Sequence, residues 1–311
     1  MSGSYVFAGQ GSVGAFIEKR LAGIGWVPAE HAGAADAAIT YCSSQNALED
    51  AYFEENGLIH ALRTGAFAID LSPVAPAFAR ELSAIATVND ISFIEAPLVI
   101  KDIEARDPFG EDAGILCFCA SDDVVSEDAK EILAAIAEQV EETGAAGTAQ
   151  IKKMECTIDS VTRLVARIEA ESLKQAIGEM SQLGQATAGQ FTAREFEGTY
   201  TVEMMMAEVA AVIAAAEDAD LVLPQIEAAM RLLEVLAVIG GLDMRPQALK
   251  LLYCEESRGA AMGLDWKRAQ AMFGHDDEWD GYDDQDAADG FYDDEDDEGF
   301  FGGAYGGYSS N

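Results

Sequence analysis

Basic residues are scarce in this sequence of 311 residues. Nineteen Lys and Arg stand against 56 Asp and Glu, which gives a formal net charge of -37. Fourteen of the acidic residues lie at or beyond Asp276, where the chain has no Lys or Arg, and the preceding part is strongly acidic as well. A chain with so few cations lacks a broad basic face for nucleic acid or an anionic lipid surface. We therefore expect neither as a partner.

Cysteine and histidine are also few. The five cysteines are odd in number and scattered, which argues against a disulfide framework and favours a reducing compartment. The three histidines and the cysteines show no ligand-like spacing, so we predict no metal site. The sequence shows no long apolar run and no charged-then-apolar leader. We therefore expect no membrane span and a cytoplasmic location.

Glycines interrupt the first apolar stretch in a regular pattern. Residues 5–9, YVFAG, form a short apolar run, and residues 12–25, SVGAFIEKRLAGIG, carry apolar residues at helical spacing. A strand, a glycine turn of the form G-x-G-x-x-G and a helix in this order expose N–H groups at the helix N-terminus, where a diphosphate can bind. The alternative is a tight turn with a purely structural role. The predicted cofactor-binding residues of this turn are Gly9, Gly11, Ser12, Val13 and Gly14.

The segment after this helix is too short for an ordinary nucleotide-binding fold. Residues 26–31, WVPAEH, are a candidate second strand, and Glu30 stands near the position of an acid that binds a ribose hydroxyl. The next buried strand, DAAITYCSS, begins at Asp36, and so few residues cannot hold a parallel crossover. We therefore predict a shortened wall around the adenosine half of a cofactor. Glu30 is either a ribose ligand or an exposed loop carboxylate, and Ser43 is a further candidate cofactor contact.

Strands and helices alternate up to about residue 144. Strands are predicted in AFAIDLS, ISFIEAPLVI and AGILCFCAS, and a helix over all of SEDAKEILAAIAEQVEETG, residues 126–144. From Thr157 to Met180, and in three later segments, apolar residues recur at helical spacing without a convincing strand. The predicted fold class is α/β: a Rossmann-type, mainly parallel sheet with a shortened second crossover, followed by an all-helical domain.

The predicted domains are a dinucleotide-binding domain at 1–149, an all-helical domain at 150–274 and a tail at 275–311. The tail combines acidic, glycine and aromatic residues without aliphatic periodicity. Self-repulsion and the lack of a core predict disorder there. It is either a solubilising segment or one whose aromatic residues dock on a partner or on a basic groove of the same protein.

The order of motifs resembles the β-hydroxyacid dehydrogenase family, which includes 3-hydroxyisobutyrate and 6-phosphogluconate dehydrogenases. FAGQGSVG is similar to its glycine turn, and GAFAIDLSPVAP is similar to a G-x-x-x-x-D-x-S-x-x-x-P segment that places Ser72 beside the cofactor. FIEAPLV resembles a D-A-P-V-S-G-G segment, and GTAQIKK resembles G-x-G-x-x-x-K. VLPQIEAAMRLLEVLAVIGGLD resembles a late proline, helix and glycine-rich turn. The similarity covers about residues 5–270.

The resemblance implies an NAD(P)-dependent oxidoreductase that transfers hydride between nicotinamide and a small hydroxy acid or a related carbonyl compound. It places Lys153 at the position of the family's catalytic lysine, as proton donor to the carbonyl, and implies a homodimer formed through the helical domain. For the cofactor, NAD is slightly favoured over NADP, because WVPAEHAGAAD offers only His31 to a 2′-phosphate.

Three departures from the family pattern affect the substrate half. Val99, Ile100 and Lys101 replace Ser-Gly-Gly, Thr157 replaces an asparagine, and Ala207-Glu208 replaces a Lys-Asp pair. We predict Lys101, Val99 and Thr157 beside a small anionic substrate, with Lys101 offering a point charge in place of the lost turn. The alternative for Lys101 is a rim lysine paired with Asp102 or Glu104. The alternative for the whole chain is a dinucleotide-fold protein that has lost turnover and serves as a binding or scaffold module.

Overall fold

We analysed a computed structural model of the chain. It describes residues 3–9, 11–110, 114–181, 191–254 and 256–273, without the side chains of 179–181. The predicted tail at 275–311 lies outside these residues.

The first half of the chain forms an eight-stranded, mainly parallel sheet, which confirms the predicted fold class. Its strand order is β2-β1-β3-β4-β5-β7-β6, and β8 pairs with β7. The pairs of β7 with β5 and with β6 are antiparallel and the others are parallel. The strands are β1 (Ser4–Gly9), β2 (Val27–Pro28), β3 (Ala37–Tyr41), β4 (Phe67–Asp70), β5 (Ser92–Glu95), β6 (Leu98–Ile100), β7 (Ile115–Ala120) and β8 (Gln139–Gly144).

The central strands are buried on both faces. Every residue of β3 and β4 is buried, because one apolar cluster covers each side of the sheet. Strands covered on both faces have near-continuous apolar sequences, as AAITY does here. The helices that cover the sheet are α1 (Ser12–Gly23), α2 (Gln45–Phe53), α3 (Leu58–Ala61), α4 (Pro76–Val88) and α5 (Glu127–Ile136).

The predicted loss of the second crossover is visible in the topology. Strand β2 is only two residues long and pairs with one side of β1. The chain then passes through a short 3-10 turn at Ala32–Ala34 and enters β3 on the other side of β1. No further strand extends the described sheet beyond β2. The chain therefore builds only a short wall on this side of β1, as the residue count between the two segments predicts.

The prediction of one helix over 126–144 is wrong beyond Ile136. Helix α5 ends there, and Gln139–Gly144 forms β8, which pairs in parallel with β7. The sequence QVEETG has no apolar alternation, and its side chains are mostly exposed. Hydrogen bonding to β7 therefore overrides the helical preference of the glutamates.

The remainder is helical and packs against the sheet through its first helix. The helices are α6 (Thr148–Ser181), α7 (Val202–Asp218), α8 (Pro224–Leu236), α9 (Glu256–Ala261) and α10 (Trp266–Phe273), with a π-helical turn at Ala237–Gly241 and 3-10 segments at Ala193–Glu195 and Pro246–Tyr253. Helix α6 contacts β7, β8, α7 and α8, so sheet and helices share one core. The domain boundary at 149/150 stays a prediction. Among the described helices, none has the length and apolar character needed to cross a bilayer.

Candidate functional site

A cavity of about 440 Å³ opens where β1 and β3 end. Gly9 and Tyr41 are register partners at the carboxyl ends of these two neighbouring strands. The chain leaves β1 toward β2 on one side, while β3 lies on the other, so this is a switch point of the sheet. Open α/β sheets bind their ligands in the crevice outside such a point. Residues of α2 and of the start of α7 also line the cavity.

The three glycines of the turn each serve a different steric need. A Cβ on Gly9 would overlap the carbonyl oxygen of Tyr41, and a Cβ on Gly14 would lie 3.0 Å from the ring of Phe7. Gly11 has a φ of 72° and, in contrast, open space around its Cα. Gly9 and Gly14 therefore permit close backbone packing, and Gly11 leaves room for a ligand against the turn.

The N-terminus of α1 faces this open space. Gly11 is the N-cap residue and makes no side-chain capping hydrogen bond. The first N–H groups of a helix have no partner within the helix and carry a partial positive charge, so they form an anion-binding site. The hydroxyl of Ser12 donates to the carbonyl oxygen of Thr199 at 2.7 Å, which ties the turn to the helical part of the chain.

The structure brings together only part of the predicted cofactor set. Gly9, Gly11, Ser12 and Ser43 line the cavity. Val13 is buried in the core below the turn. Three further predicted residues do not line the cavity. Gly14 packs on Phe7, and Ser72 is fully buried. Glu30 is exposed beyond the end of β2.

Ser72 belongs to a hydrogen-bond network below the cavity. Its hydroxyl donates to Asp70 at 2.7 Å and accepts from the backbone N–H of Cys42 at 2.9 Å. Thr40 donates to the same Asp70 oxygen at 2.7 Å. Burial raises the pKa of Asp70 to about 6 despite these hydrogen bonds. These hydrogen bonds join the carboxyl ends of β3 and β4. Ser72 therefore contributes to the position of these strand ends and is not itself a lining residue of the cavity.

A second buried carboxyl, Glu95, was not predicted from the sequence. It receives hydrogen bonds from the backbone N–H of Gly147 and, at 2.7 Å, of Gln150, at the start of α6. The carboxylate thus caps this long helix from the neighbouring strand. Burial raises the pKa of Glu95 to about 7, against the effect of these hydrogen bonds. The sequence did offer a signal for this residue, because FIEAPLV places a single glutamate at the end of an apolar strand.

Lys153 is buried in an ion pair rather than exposed to the cavity. Its ammonium lies 2.7 Å from a carboxylate oxygen of Glu208, and the two side chains are 5% and 7% exposed. The hydroxyl of Thr157 donates to the same oxygen at 3.1 Å, and Tyr200 also hydrogen-bonds to Glu208. Thr157 and Glu208, two positions at which this chain departs from the family pattern, therefore lie together beside the retained Lys153.

The other two predicted substrate residues lie elsewhere. Val99 is buried in a small apolar cluster with Phe118, Ala120 and Ala149. Lys101 forms an ion pair of 2.8 Å with Glu138, and both side chains are largely exposed. Neither lines the cavity. Lys101 is therefore an exposed lysine paired with an acid, but the partner is Glu138 and not Asp102 or Glu104.

Carboxylates dominate the charge of the cavity. Among the described residues, its lining contains the carboxylates of Asp50, Glu54, Glu203 and Asp243 and no Lys or Arg. These four residues lie in α2, directly after α2, in α7 and in a turn beyond α8. Because they are far apart in the sequence, no local sequence pattern predicts that they share one cavity. Within the described part of the chain, no group of three or more His, Cys, Asp or Glu residues is placed to hold a metal ion.

The turn, the switch-point cavity and the helical second half define a Rossmann-type dinucleotide-fold protein. Residues 9–145 match the family model described as the NAD binding domain of 6-phosphogluconate dehydrogenase. A probable mitochondrial 3-hydroxyisobutyrate dehydrogenase of Dictyostelium discoideum is 27% identical over 139 residues, which are 44% of this chain and 41% of that protein. The chain thus matches less than half the length of this curated relative.

Solved structures show the same fold over a longer range. 3-Hydroxyisobutyrate dehydrogenase of Mycobacterium tuberculosis, solved with L-serine, superposes with a TM-score of 0.65 at 18% identity, covering 82% of this chain and 100% of that one. Psf3 in complex with NADP⁺ and 2-OPP gives a TM-score of 0.61, also at 18% identity, covering 81% and 100% of the two chains. Residues 9–145 of this chain therefore resemble the NAD binding domain of 6-phosphogluconate dehydrogenase, and the described structure has the fold of the solved 3-hydroxyisobutyrate dehydrogenase.

Proposed function

We propose that this protein is an NAD(P)-dependent oxidoreductase whose cofactor binds at the glycine turn. The observation that carries the proposal is the geometry of Gly11. The turn places this residue against open space at the N-terminus of α1, at the edge of the switch-point cavity. A diphosphate fits such a site, because it needs close approach to the backbone and N–H donors that are otherwise unused.

The residues around the cavity have distinct roles in this proposal. The N–H groups that follow Gly11 bind the diphosphate, and Ser43, which also lines the cavity, offers a hydroxyl to the same ligand. Tyr41, at the end of β3, closes the floor of the cavity. When bound, a nicotinamide cofactor supplies or accepts a hydride.

Among the two cofactors, NAD fits the described residues better than NADP. Glu30 is an exposed carboxylate just beyond β2, where a 2′-phosphate would need a cation. Ribose hydroxyls are compatible with a carboxylate, whereas a phosphate dianion is repelled. The shortened wall beside β2 gives this half of the cofactor few contacts, so we expect weak discrimination between NAD and NADP.

For the reacting group, the family resemblance implies a small hydroxy acid or a related carbonyl compound, with Lys153 as proton donor. This role requires that Lys153 be released from Glu208 toward the cavity. A homodimer formed through the helical part also stays a proposal, supported by the exposed apolar side chains of Leu173 and Ile177 on α6. The cytoplasmic location stays a prediction.

One observation favours a second candidate, a binding or scaffold protein without turnover. The catalytic position holds a lysine that is neutralised by Glu208 and does not line the cavity. A dehydrogenase that has lost its chemistry can keep the glycine turn for nucleotide binding alone.

Titration with NADH and NADPH, followed by nicotinamide fluorescence, separates these candidates. We expect NADH to bind, and Gly11→Ala to weaken binding at least tenfold, because the added methyl group enters the ligand space. Gly65→Ala is the matched control: Gly65 also has a positive φ (82°) and open space, but it lies outside the cavity. Binding of neither cofactor at millimolar concentration contradicts the proposal. Binding without turnover of any alcohol, carbonyl or amine compound supports the scaffold candidate.

A further inference from the structure

Thr199 forms hydrogen bonds with three residues that lie far from it in the sequence. Its carbonyl oxygen accepts the hydroxyl of Ser12, on the glycine turn, at 2.7 Å. Its backbone N–H donates to the carbonyl oxygen of Arg106 at 3.2 Å, and its hydroxyl donates to Asp107 at 2.7 Å. Arg106 and Asp107 lie in the loop between β6 and β7. We call these three hydrogen bonds the Thr199 clasp.

The loop between β6 and β7 contacts the helical part of the chain. It follows the position at which the chain departs from the family's Ser-Gly-Gly turn, and none of residues 103–107 is among the described residues that line the cavity. Gln247 donates to the carbonyl oxygen of Ile103 at 2.8 Å, and Arg245 donates to that of Glu104. The loop therefore anchors the helical part to the sheet, and the Thr199 clasp extends this anchor to the glycine turn.

The hydroxyl of Ser12 also belongs to the candidate cofactor site. Ser12 lines the cavity and is the first residue of α1. A serine hydroxyl has one proton to donate, and here the carbonyl oxygen of Thr199 accepts it. A diphosphate oxygen is a charged acceptor, and a hydrogen bond to a charged group is roughly twice as strong as one between neutral groups. A diphosphate on the turn therefore competes with Thr199 for this proton.

We propose that a diphosphate bound at the glycine turn opens the Thr199 clasp and so loosens the junction between the turn and the helical part. The proposal rests on the proposed function above and adds a conformational response to it. When the hydroxyl of Ser12 donates to the diphosphate, Thr199 loses one of its three anchors, and its bonds to Arg106 and Asp107 are populated less. Gln247 and Arg245 keep the loop attached, because their hydrogen bonds do not involve Thr199.

Opening of the clasp affects the cavity directly. Thr201, Glu203 and Met204 follow Thr199 in the chain and line the cavity. Release of Thr199 therefore gives this wall freedom to move once the cofactor is bound. The coupling is reciprocal: a clasp that opens on diphosphate binding also weakens that binding while it is closed. A change that weakens the clasp without altering the turn is therefore expected to tighten cofactor binding.

Hydrogen exchange of the full chain, measured by mass spectrometry with and without saturating NADH, tests the opening. We expect the peptide that contains the amide of Thr199 to exchange about fivefold faster with NADH, because its hydrogen bond to Arg106 is lost more often. In Ser12→Ala the faster exchange is expected without NADH. Ser121→Ala is the matched control, since its hydroxyl donates to the carbonyl oxygen of Phe93 at 2.7 Å, outside the cavity, and is expected to leave this rate unchanged.

An affinity measurement tests the coupling without a change of charge. Thr199→Val removes the hydrogen bond to Asp107, and we expect the Kd of NADH to fall about threefold. Thr87→Val is the control, since its hydroxyl donates to Ser83 within α4, and is expected to leave this Kd unchanged. An unchanged or higher Kd in Thr199→Val overturns this inference alone, as does NADH binding without faster exchange at Thr199. Failure to bind NADH or NADPH overturns the proposed function and this inference with it.

Discussion

Replacing Glu208 by Gln leaves the ammonium of Lys153 buried without its counter-charge. The two groups are 2.7 Å apart and at most 7% exposed. Breaking a buried ion pair by removing one partner costs about 3–5 kcal/mol, because the remaining charge keeps its desolvation penalty. At roughly 2 °C per kcal/mol for a chain of this size, we expect Tm to fall by roughly 6–10 °C.

The same helix contains a matched control at the neighbouring lysine. Lys152 pairs with Glu155 at 2.8 Å, but these side chains are 46% and 61% exposed. Exposed pairs are worth about 0–1 kcal/mol, so Glu155→Gln is expected to have little effect. The two pairs have nearly equal lengths, so the comparison isolates the contribution of burial.

Urea unfolding followed by circular dichroism measures both variants. We expect Glu208→Gln to lower the midpoint without a change in m, and the double variant Lys153→Met/Glu208→Met to recover most of the loss, because neither charge is then buried. If Glu208→Gln is no less stable than Glu155→Gln, the ammonium of Lys153 has water or another partner. That result would refute the description of Lys153 as a buried lysine that depends on Glu208.

Three further predictions concern the turn, the buried carboxyl and the cavity charge. Gly9→Ala is expected to destabilise the fold more than Gly11→Ala in urea unfolding, because only the first methyl group overlaps backbone, at Tyr41; equal losses would contradict this. The pKa of Glu95 is raised from 4.5 to about 7 in the folded state, so the protonated form is favoured there and stability is lost as pH rises from about 4.5 through 7. This loss is on the order of 3 kcal/mol, and a Glu95→Gln variant with the same pH slope as the parent would refute it. The Kd of NADH is expected to decrease between 20 and 300 mM NaCl, because salt screens repulsion between the diphosphate and the four cavity carboxylates; a Kd that rises with salt would contradict this.

Local patterns were sufficient to predict the first strand, the glycine turn and the first helix. Alternation, glycine spacing and helical periodicity each depend on a few consecutive residues, and the structure confirms all three at β1 and α1. The missing crossover also followed from the sequence, since the number of residues between two strands limits their connection. Strand β8 did not follow, because its glutamates favour a helix and only pairing with β7 decides otherwise.

Contacts between residues that are distant in the sequence decided the charge and the accessibility of the candidate site. The family resemblance pointed to Lys153 and to the departure at Glu208, but only the packing of α6 against α7 joins them in a buried pair. Glu95 caps α6 from another strand, and the cavity carboxylates come from four separate segments. Periodicity and spacing describe neighbours along the chain. The charge and accessibility of a site depend on which distant side chains share the same low-dielectric space, and that is a property of the folded molecule.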